Sequence, residues 1–211
     1  MARWEGNARG RLERAALELF TEQGYDRTTV AQIAQRANLT ERSFYRWFSD
    51  KREVLFGDDE LVSRFVAEIS AVPSGTGALP TLLAAFATAP EVFRPRPFLR
   101  ERAAVVAANP PLQERELIKA TNLSAALTSA LAERGCDRQT ARLATDVGLA
   151  VLRVASERWV ADEEADFRQL LADGAADLLA IAAETGPAEH PPPIPGGRPR
   201  VQSTGGVRRN P

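Results

Sequence analysis

Apolar residues recur along this chain at intervals of three and four, the spacing of one face of an α-helix, and no segment alternates strictly as a half-buried strand would. The first such stretch predicts a helix from about residue 7 to 23, with Gly24 at its C-terminal cap. A second helix is predicted to open at Thr29, because its hydroxyl and the Gln32 side chain can form a capping box. The pattern therefore indicates an all-α fold.

A tight turn is expected at Asn38, a residue that tolerates left-handed backbone, before a third helix from Thr40 to about Phe48. A fourth helix is predicted to begin at Asp50 and to continue to about Ala71. After a loop rich in Gly and Ser, the spacing predicts five further helices, near residues 78–89, 97–108, 112–134, 138–160 and 163–185. The chain is thus expected to contain about nine helices.

Charge and composition divide the chain into three parts. We expect domains at residues 1–56 and 57–185 and a disordered tail at residues 186–211. The formal net charge of -1 is the balance of +2, -6 and +3 in these parts, so an acidic middle lies between two mildly basic ends. The tail holds half of the 14 prolines and almost no large apolar side chain, so it cannot bury enough surface to order itself. This polarity suits a protein with one end that faces nucleic acid.

The composition also disfavours several classes of protein. No apolar run is long enough to span a bilayer, and the first residues lack the apolar centre of a signal peptide, so a cytoplasmic protein is expected. A single cysteine, Cys136, and a single histidine, His190, are too few for the usual zinc or haem ligand sets. No nucleophile–base constellation appears either. We therefore expect neither an enzyme nor a protein with a metal or cofactor.

The third predicted helix has two contrasting faces. At about 100° per residue, Phe44, Trp47 and Phe48 point to one side. The opposite side carries polar groups: Glu41, Arg42, Tyr45 and Arg46. Arginine can pair with guanine or phosphate, and a tyrosine hydroxyl can reach phosphate, so a helix-turn-helix that binds DNA is one interpretation. The other is a corner of a larger helical bundle with a solvated polar face.

Across roughly residues 8–56 the sequence resembles the TetR (tetracycline-repressor-like) family of bacterial transcription regulators. The matching segments are Ala15–Phe20, Gly24–Tyr25, Thr28–Val30, Ile33–Ala34, Ala37–Thr40, Phe44–Phe48, Asp50–Lys51 and Val54–Leu55. The resemblance implies DNA contacts at seven positions: phosphate contacts from Thr29, Tyr45, Arg46 and Lys51, and base or nearby phosphate contacts from Thr40, Arg42 and Ser43. Asn38, Arg42 and Trp47 depart from the residues usual in the family, so no operator sequence follows from the resemblance.

Two apolar stripes mark the last two predicted helices. The first consists of Ala141, Ala144, Thr145, Gly148, Leu149, Leu152, Ala155 and Trp159. The second consists of Phe167, Leu170, Leu171, Gly174, Ala175, Leu178, Leu179 and Ala182. We expect both stripes to belong in part to the hydrophobic core of a single chain. The family resemblance implies that these helices also form a four-helix seam with a second copy, and we therefore expect a homodimer.

Aromatic and basic residues cluster in the middle of the chain. The cluster contains Phe86, Phe93, Arg94, Arg96, Phe98, Arg100 and Arg102. Apolar rings beside fixed cations suit a small lipophilic effector with an anionic group, and five residues are assigned to its binding: Phe86, Phe93, Phe98, Arg100 and Arg102. The alternative is an aromatic core with solvated arginines. The segment from Arg100 to Arg115, with Trp159, also resembles mycofactocin-type regulators of actinobacteria, some of which respond to acyl-thioesters.

The sequence as a whole predicts a homodimeric, ligand-responsive repressor that binds double-stranded operator DNA and is released by a small-molecule effector. No cofactor and no membrane contact are expected. The alternatives are a helical protein-interaction module that never contacts DNA and a small all-α enzyme. A salt-dependent gel shift on DNA upstream of the gene distinguishes the three.

Overall fold

The computed structural model describes the backbone of residues 2–56 and 60–184, and the side chains within these ranges from Ala8 onward. In these ranges the chain forms nine α-helices and two 3₁₀ turns and contains no strand, which confirms the predicted all-α fold. None of these helices is long and apolar enough to cross a membrane. The predicted tail at residues 186–211, with His190, lies outside the described residues.

The first part of the chain, residues 2–56, is called the head. Its elements are α1 (Ala2–Gln23), α2 (Val30–Arg36), α3 (Glu41–Trp47) and a 3₁₀ turn at Glu53–Leu55. The predicted capping box is present at the start of α2, where the Thr29 hydroxyl accepts a hydrogen bond from the N–H of Gln32 and the Gln32 side chain accepts one from the N–H of Thr29. The Thr40 hydroxyl caps α3 in the same way, by accepting from the N–H of Ser43. Local side-chain chemistry therefore fixes where both helices begin.

The turn between α2 and α3 has the predicted left-handed residue. Asn38 has a φ of 54°, and Leu39 directs its N–H back to the carbonyl oxygen of Ala34 at 2.8 Å. Asparagine adopts this conformation at a lower cost than most residues, because its short polar side chain tolerates it. The turn joins α2 to α3 over a few residues, as the short turn of a helix-turn-helix does.

The predicted fourth helix is wrong in its first half. The Asp50 carboxylate does accept hydrogen bonds from the N–H groups of Arg52 and Glu53, at 2.7 and 3.3 Å, but the structure it caps is only the 3₁₀ turn at Glu53–Leu55. The next helix starts at Glu60. The described residues from Asp50 to Phe56 therefore form a turn where the apolar spacing predicted the first part of a helix.

The second part of the chain, residues 60–184, is called the body. Its helices are α4 (Glu60–Ala71), α5 (Ala78–Phe86), α6 (Arg96–Ala107), α7 (Pro110–Glu133), α8 (Arg138–Ala161) and α9 (Phe167–Glu184), with a second 3₁₀ turn at Ala89–Glu91. α9 begins four residues later than predicted, because Asp166 takes the cap position and its carboxylate accepts the N–H of Gln169 at 2.8 Å. α1 begins at Ala2, five residues earlier than predicted.

Two hydrophobic cores lie inside the described residues. The head core surrounds buried side chains such as Leu12, Phe20 and Phe44, and it is completed by four buried side chains from α6 and the start of α7: Phe98, Val105, Val106 and Leu112. The body core lies among α4, α5, α7, α8 and α9. α6 therefore bridges the two parts: its buried apolar side chains complete the head core, and the helix also packs against α7 and α8 of the body.

The first apolar stripe of α8 faces mainly into the protein's own core. Five of its members are buried within this chain: Ala141, Thr145, Gly148, Leu152 and Ala155. Gly148 permits close packing of α5, since a Cβ at this position would lie 3.1 Å from Leu82 Cδ1 and 3.3 Å from Phe86 Cε2. From the second stripe, Phe167, Leu170 and Leu171 are also buried. The outer side of α8 and α9 exposes other apolar side chains: Leu143, which lies outside the stripes, is 64% exposed, and Leu179 of the second stripe is 68% exposed.

Candidate functional site

The outer face of α3 presents the polar side chains that the sequence assigns to DNA. Arg42 and Arg46 are exposed, and Tyr45 is 55% exposed. On the opposite side Phe44 and Phe48 are buried with their ring centroids 5.4 Å apart, and Trp47 is half-buried against the same core. Because the aromatic residues hold α3 onto the head core, the arginines and the tyrosine project from a fixed helix.

The hydroxyl groups near this face have a structural role that leaves them accessible. Thr29 and Thr40, which cap α2 and α3, are both exposed. The Ser43 hydroxyl lies 3.1 Å from that of Thr40. Thr40 and Ser43 share one hydrogen bond, so one of their two hydroxyl protons stays available for an oxygen outside the protein. The Thr29 hydroxyl donates to the Gln32 side-chain oxygen at 3.2 Å, and it keeps a lone pair as an acceptor.

The arginines of the α3 face differ from those of neighbouring parts of the head in how their charge is compensated. Arg36 contacts the carboxylates of Glu18 and Glu22 at 3.3 and 2.7 Å, and Arg52 is paired with Asp50. Neither Arg42 nor Arg46 contacts a carboxylate in the described part of the chain, and the Arg46 guanidinium instead lies 5.4 Å from the centre of the Trp47 ring. An unpaired guanidinium on an exposed helix can bind an anion without first breaking an ion pair.

Lys51 is held inside the head more firmly than its sequence position suggests. Its Nζ donates hydrogen bonds to the carbonyl oxygens of Tyr25 and Thr28 at 2.8 and 2.9 Å and lies 4.1 Å from the centre of the Tyr25 ring. Burial lowers the pKa of the Lys51 ammonium, and the nearby carboxylate of Asp26 opposes this effect. Two of its three donors are occupied, which leaves one for an outside acceptor.

The three phenylalanines assigned to an effector lie in different surroundings. Phe86 is fully buried in the body core, with its ring 5.0 Å from that of Phe65. Phe98 is buried in the head core. Phe93 is half-buried at the edge of the body core, against the rings of Trp159 and Phe167 at 5.7 and 5.8 Å. They do not form one aromatic wall.

The two arginines assigned to an effector both have acceptors within the chain. Arg100 donates to the carbonyl oxygen of Val160 at 2.7 Å and to the carboxylate of Glu163 at 2.9 Å. Arg102 donates to the carbonyl oxygen of Leu55 at 2.7 Å and to the carboxylate of Glu116 at 3.1 Å. Of the five predicted residues, Phe93, Phe98 and Arg102 line a common cavity of about 250 Å³, whereas Phe86 and Arg100 do not.

Sequence reasoning missed a buried acid at the wall of this cavity. Glu13 on α1 has a side chain that is only 5% exposed, and its carboxylate accepts two hydrogen bonds from Arg94, each 2.8 Å long, and one from Arg9 at 3.0 Å. Glu13 occupies the same helical face as the apolar residues Ala16, Leu17 and Phe20, and an acid in such a register is the signal that could have revealed it.

Each of the two parts of the chain matches a known protein family. Residues 13–56 match the tetR family of bacterial regulatory proteins, and residues 77–183, half of the chain, match the MftR C-terminal domain. The chain belongs to the TetR family. Its head is therefore the helix-turn-helix of a transcription regulator, and the resemblance to mycofactocin-type regulators is confirmed for the body.

A curated relative supports this TetR-family assignment over the N-terminal region. The HTH-type transcriptional regulator TcmR of Streptomyces glaucescens is 39% identical to this chain over 79 residues. The match covers 37% of this chain and 35% of TcmR, so the two proteins are comparable over about a third of their lengths.

Two solved structures show the same fold. NalD, the secondary repressor of the MexAB-OprM multidrug efflux pump in Pseudomonas aeruginosa, is 19% identical with a TM-score of 0.50, and the match covers 80% of this chain and 94% of NalD. The fatty acid degradation regulator FadR from Bacillus halodurans is 22% identical with a TM-score of 0.50, covering 82% of this chain and 94% of FadR. At these identities the likeness establishes the TetR-family fold alone.

Proposed function

We propose that this TetR-family protein is a homodimeric transcriptional repressor that binds operator DNA and dissociates from it when a small lipophilic effector binds. The observation that carries the proposal is the orientation of α3, whose aromatic side is buried while Arg42, Tyr45 and Arg46 project outward. The second helix of a helix-turn-helix enters the major groove, where such side chains reach bases and phosphates. Such a repressor acts in the cytoplasm and needs no enzymatic activity.

The proposal gives each residue of the interface a role. Tyr45 and Arg46 hold phosphates beside the groove, and Arg42 reads a base edge. Thr40 and Ser43 contact bases or nearby phosphates from the start of α3. Thr29 and Lys51 bind the backbone from the flank, where Thr29 is exposed and Lys51 retains one donor.

A second copy of the chain would supply the second recognition helix. The outer side of α8 and α9 exposes large apolar side chains, namely Leu143, Val154, Leu179 and Ile181. A surface of this kind supports a two-fold interface, since the same patch on two copies is self-complementary. A two-fold dimer would present both α3 helices to half-sites about 34–36 Å apart on one side of the duplex.

A test of the proposal measures how DNA affinity depends on salt, by fluorescence anisotropy of a labelled fragment from upstream of the gene. Arg46→Ala should weaken binding to every DNA sequence and lower the log–log salt slope by about 1, because a cationic phosphate contact is lost. Tyr45→Phe removes an uncharged hydroxyl, so it should weaken binding to every sequence and leave the salt slope nearly unchanged. Arg42→Ala should relax sequence preference by about 1–3 kcal/mol at one base pair. The control is Arg142→Ala, which changes an exposed arginine on α8 of the body. It should alter neither the DNA affinity nor the sequence preference.

Unchanged DNA affinity in all three variants of α3, with the protein still folded, would contradict the proposed interface. Absence of any salt-sensitive binding by the wild-type protein would favour a helical protein-interaction module instead.

A further inference from the structure

The cavity that contains Phe93, Phe98 and Arg102 lies between the head and the body. Its apolar wall includes side chains from the head, from α4, from the segment before α6 and from α6 itself, among them Leu55, Phe56, Leu61, Phe93, Phe98 and Leu99. Its volume of about 250 Å³ lies just below the range of roughly 300–1,000 Å³ typical of small-molecule pockets. This volume is several times the roughly 30 Å³ that one water occupies in the liquid, so the cavity has room for a small organic molecule.

Two guanidinium groups, of Arg94 and Arg102, line the same cavity together with two carboxylates, of Glu13 and Glu60. Arg102 is anchored on the carbonyl oxygen of Leu55. Arg94 is partly exposed, and it holds the Glu13 carboxylate with two parallel hydrogen bonds of 2.8 Å. This contact connects α1 of the head to the segment just before α6, across 81 residues of sequence. An ion pair that crosses two structural units at the wall of a cavity is a contact that a ligand can exchange.

We propose that this cavity is the effector site, that it takes a small carboxylate with an apolar chain, and that the carboxylate of the effector replaces that of Glu13 on Arg94. The inference rests on the proposed repressor function. The two oxygens of a carboxylate match the guanidinium fork, so the incoming group reproduces the geometry that Glu13 provides. The apolar chain of the ligand fills the space beside Phe93 and Phe98.

The exchange leaves no buried charge without a partner. Glu13 keeps its hydrogen bond from Arg9 at 3.0 Å on the same helix, and Arg94 keeps a carboxylate. What is lost is the Glu13–Arg94 ion pair between α1 and the segment before α6. The effector thus binds with different free energies to the state that has the Glu13–Arg94 ion pair and to the state that lacks it. Such a difference is the condition for an effector to shift the orientation of the head.

The larger open groove of the body does not meet this condition. It lies between α7 and α8, has a volume of about 730 Å³ and is lined largely by small side chains such as Ala120, Ser124 and Thr128. Its lining includes no residue of the head, so a ligand there would make no contact that changes directly when the head moves.

The test compares two variants that break the same ion pair. Octanoate binding to the full-length, DNA-free protein is measured by isothermal titration calorimetry, with octan-1-ol as the uncharged analogue. Glu13→Gln removes the internal competitor and should tighten octanoate binding about tenfold, whereas Arg94→Gln removes the anchor and should weaken it about tenfold. Both variants should bind octanol like the wild type. Arg153→Gln, which breaks a surface pair with Glu157, is the matched control.

Opposite shifts from the two variants support the exchange, because a purely structural ion pair would change octanoate affinity in the same direction in both. Equal shifts, or no binding of octanoate to the wild type, would overturn it. Leu99→Trp, which fills the cavity and leaves the ion pair intact, should abolish octanoate binding and provides a second test if Arg94→Gln fails to fold. Since calorimetry uses no DNA, these results test the ligand site alone, and the repressor proposal is tested separately by the DNA-binding measurements.

Discussion

At the scale of single residues, Lys51 joins separate segments of the head through one ammonium group. It bonds two carbonyl oxygens in the α1–α2 connection and lies over the Tyr25 ring. Lys51→Met should therefore lower the free energy of unfolding by about 1–3 kcal/mol, as expected for lost hydrogen bonds to a charged group. The measurement is urea denaturation followed by circular dichroism.

Arg52→Met is the matched control for Lys51, because it removes a neighbouring cation whose ion pair with Asp50 is exposed to solvent. Exposed pairs contribute about 0–1 kcal/mol, so this variant should unfold close to the wild type. Equal losses of stability in the two variants would show that the buried carbonyl contacts of Lys51 have no special weight.

The sequence predicted side-chain direction well at this scale and side-chain partners poorly. Helical geometry was enough to place Phe44 inside and Arg46 outside. It could not show that Arg100 and Arg102 are satisfied by carbonyl groups 60 and 47 residues away, at Val160 and Leu55. Direction is a local property of a helix, whereas the partner of a long cation depends on how distant segments pack.

At the scale of elements, the contact between α5 and α8 depends on the absence of a side chain at Gly148. Gly148→Ala gains about 0.5–1 kcal/mol in helix propensity but brings a methyl group against Leu82 and Phe86, which are both fully buried and have little room to move. Overpacking of this kind costs about 1–3 kcal/mol, so a net loss of stability is expected. Thermal denaturation measures it.

Gly10 provides the comparison within the same chain. It is exposed on α1, and a Cβ there would meet no atom within 4 Å. Gly10→Ala should therefore stabilise the protein by about 0.5–1 kcal/mol. A stabilising effect at both glycines would mean that α5 and α8 can separate slightly without loss.

Helix boundaries were predictable where one side chain decides them. Thr29 and Thr40 cap α2 and α3 through bonds to residues three positions later, and the sequence contains both partners. The prediction failed at Asp50, which has the features of a helix cap but is followed by a single 3₁₀ turn. There the apolar residues Val54 and Leu55 are buried in the head core, so tertiary packing and not helical spacing accounts for their pattern.

At the scale of the whole molecule, the proposed dimer depends on the outer side of α8 and α9. Leu143→Glu or Leu179→Glu would place an unpaired charge in the seam and should yield a monomer that retains its helical content. Light scattering coupled to size-exclusion chromatography measures the mass. Leu117→Glu on α7, where the leucine is 69% exposed, is the control and should leave the dimer intact.

A monomeric wild-type protein at micromolar concentration would contradict the dimer directly. The variants must be chosen from the exposed side, since Leu171 belongs to the predicted stripe but is 3% exposed in the protein's own core. A charge at Leu171 would unfold the body and report nothing about assembly. Sequence spacing identified the apolar stripes. It could not show which of their side chains are buried by other helices of the same chain and which remain exposed.

A head excised at residue 56 would leave behind the side chains of α6 and α7 that complete its core, Phe98, Val105, Val106 and Leu112. Such a fragment would expose the apolar surface that these residues now cover, and it would lose part of its stability. Anyone who transplants this DNA specificity onto another sensor must therefore graft α6 and the first turn of α7 together with the recognition helix. The residues that a chimera must include are separated in sequence and meet only in the folded core. No single cut in the gene therefore yields the whole DNA-binding unit.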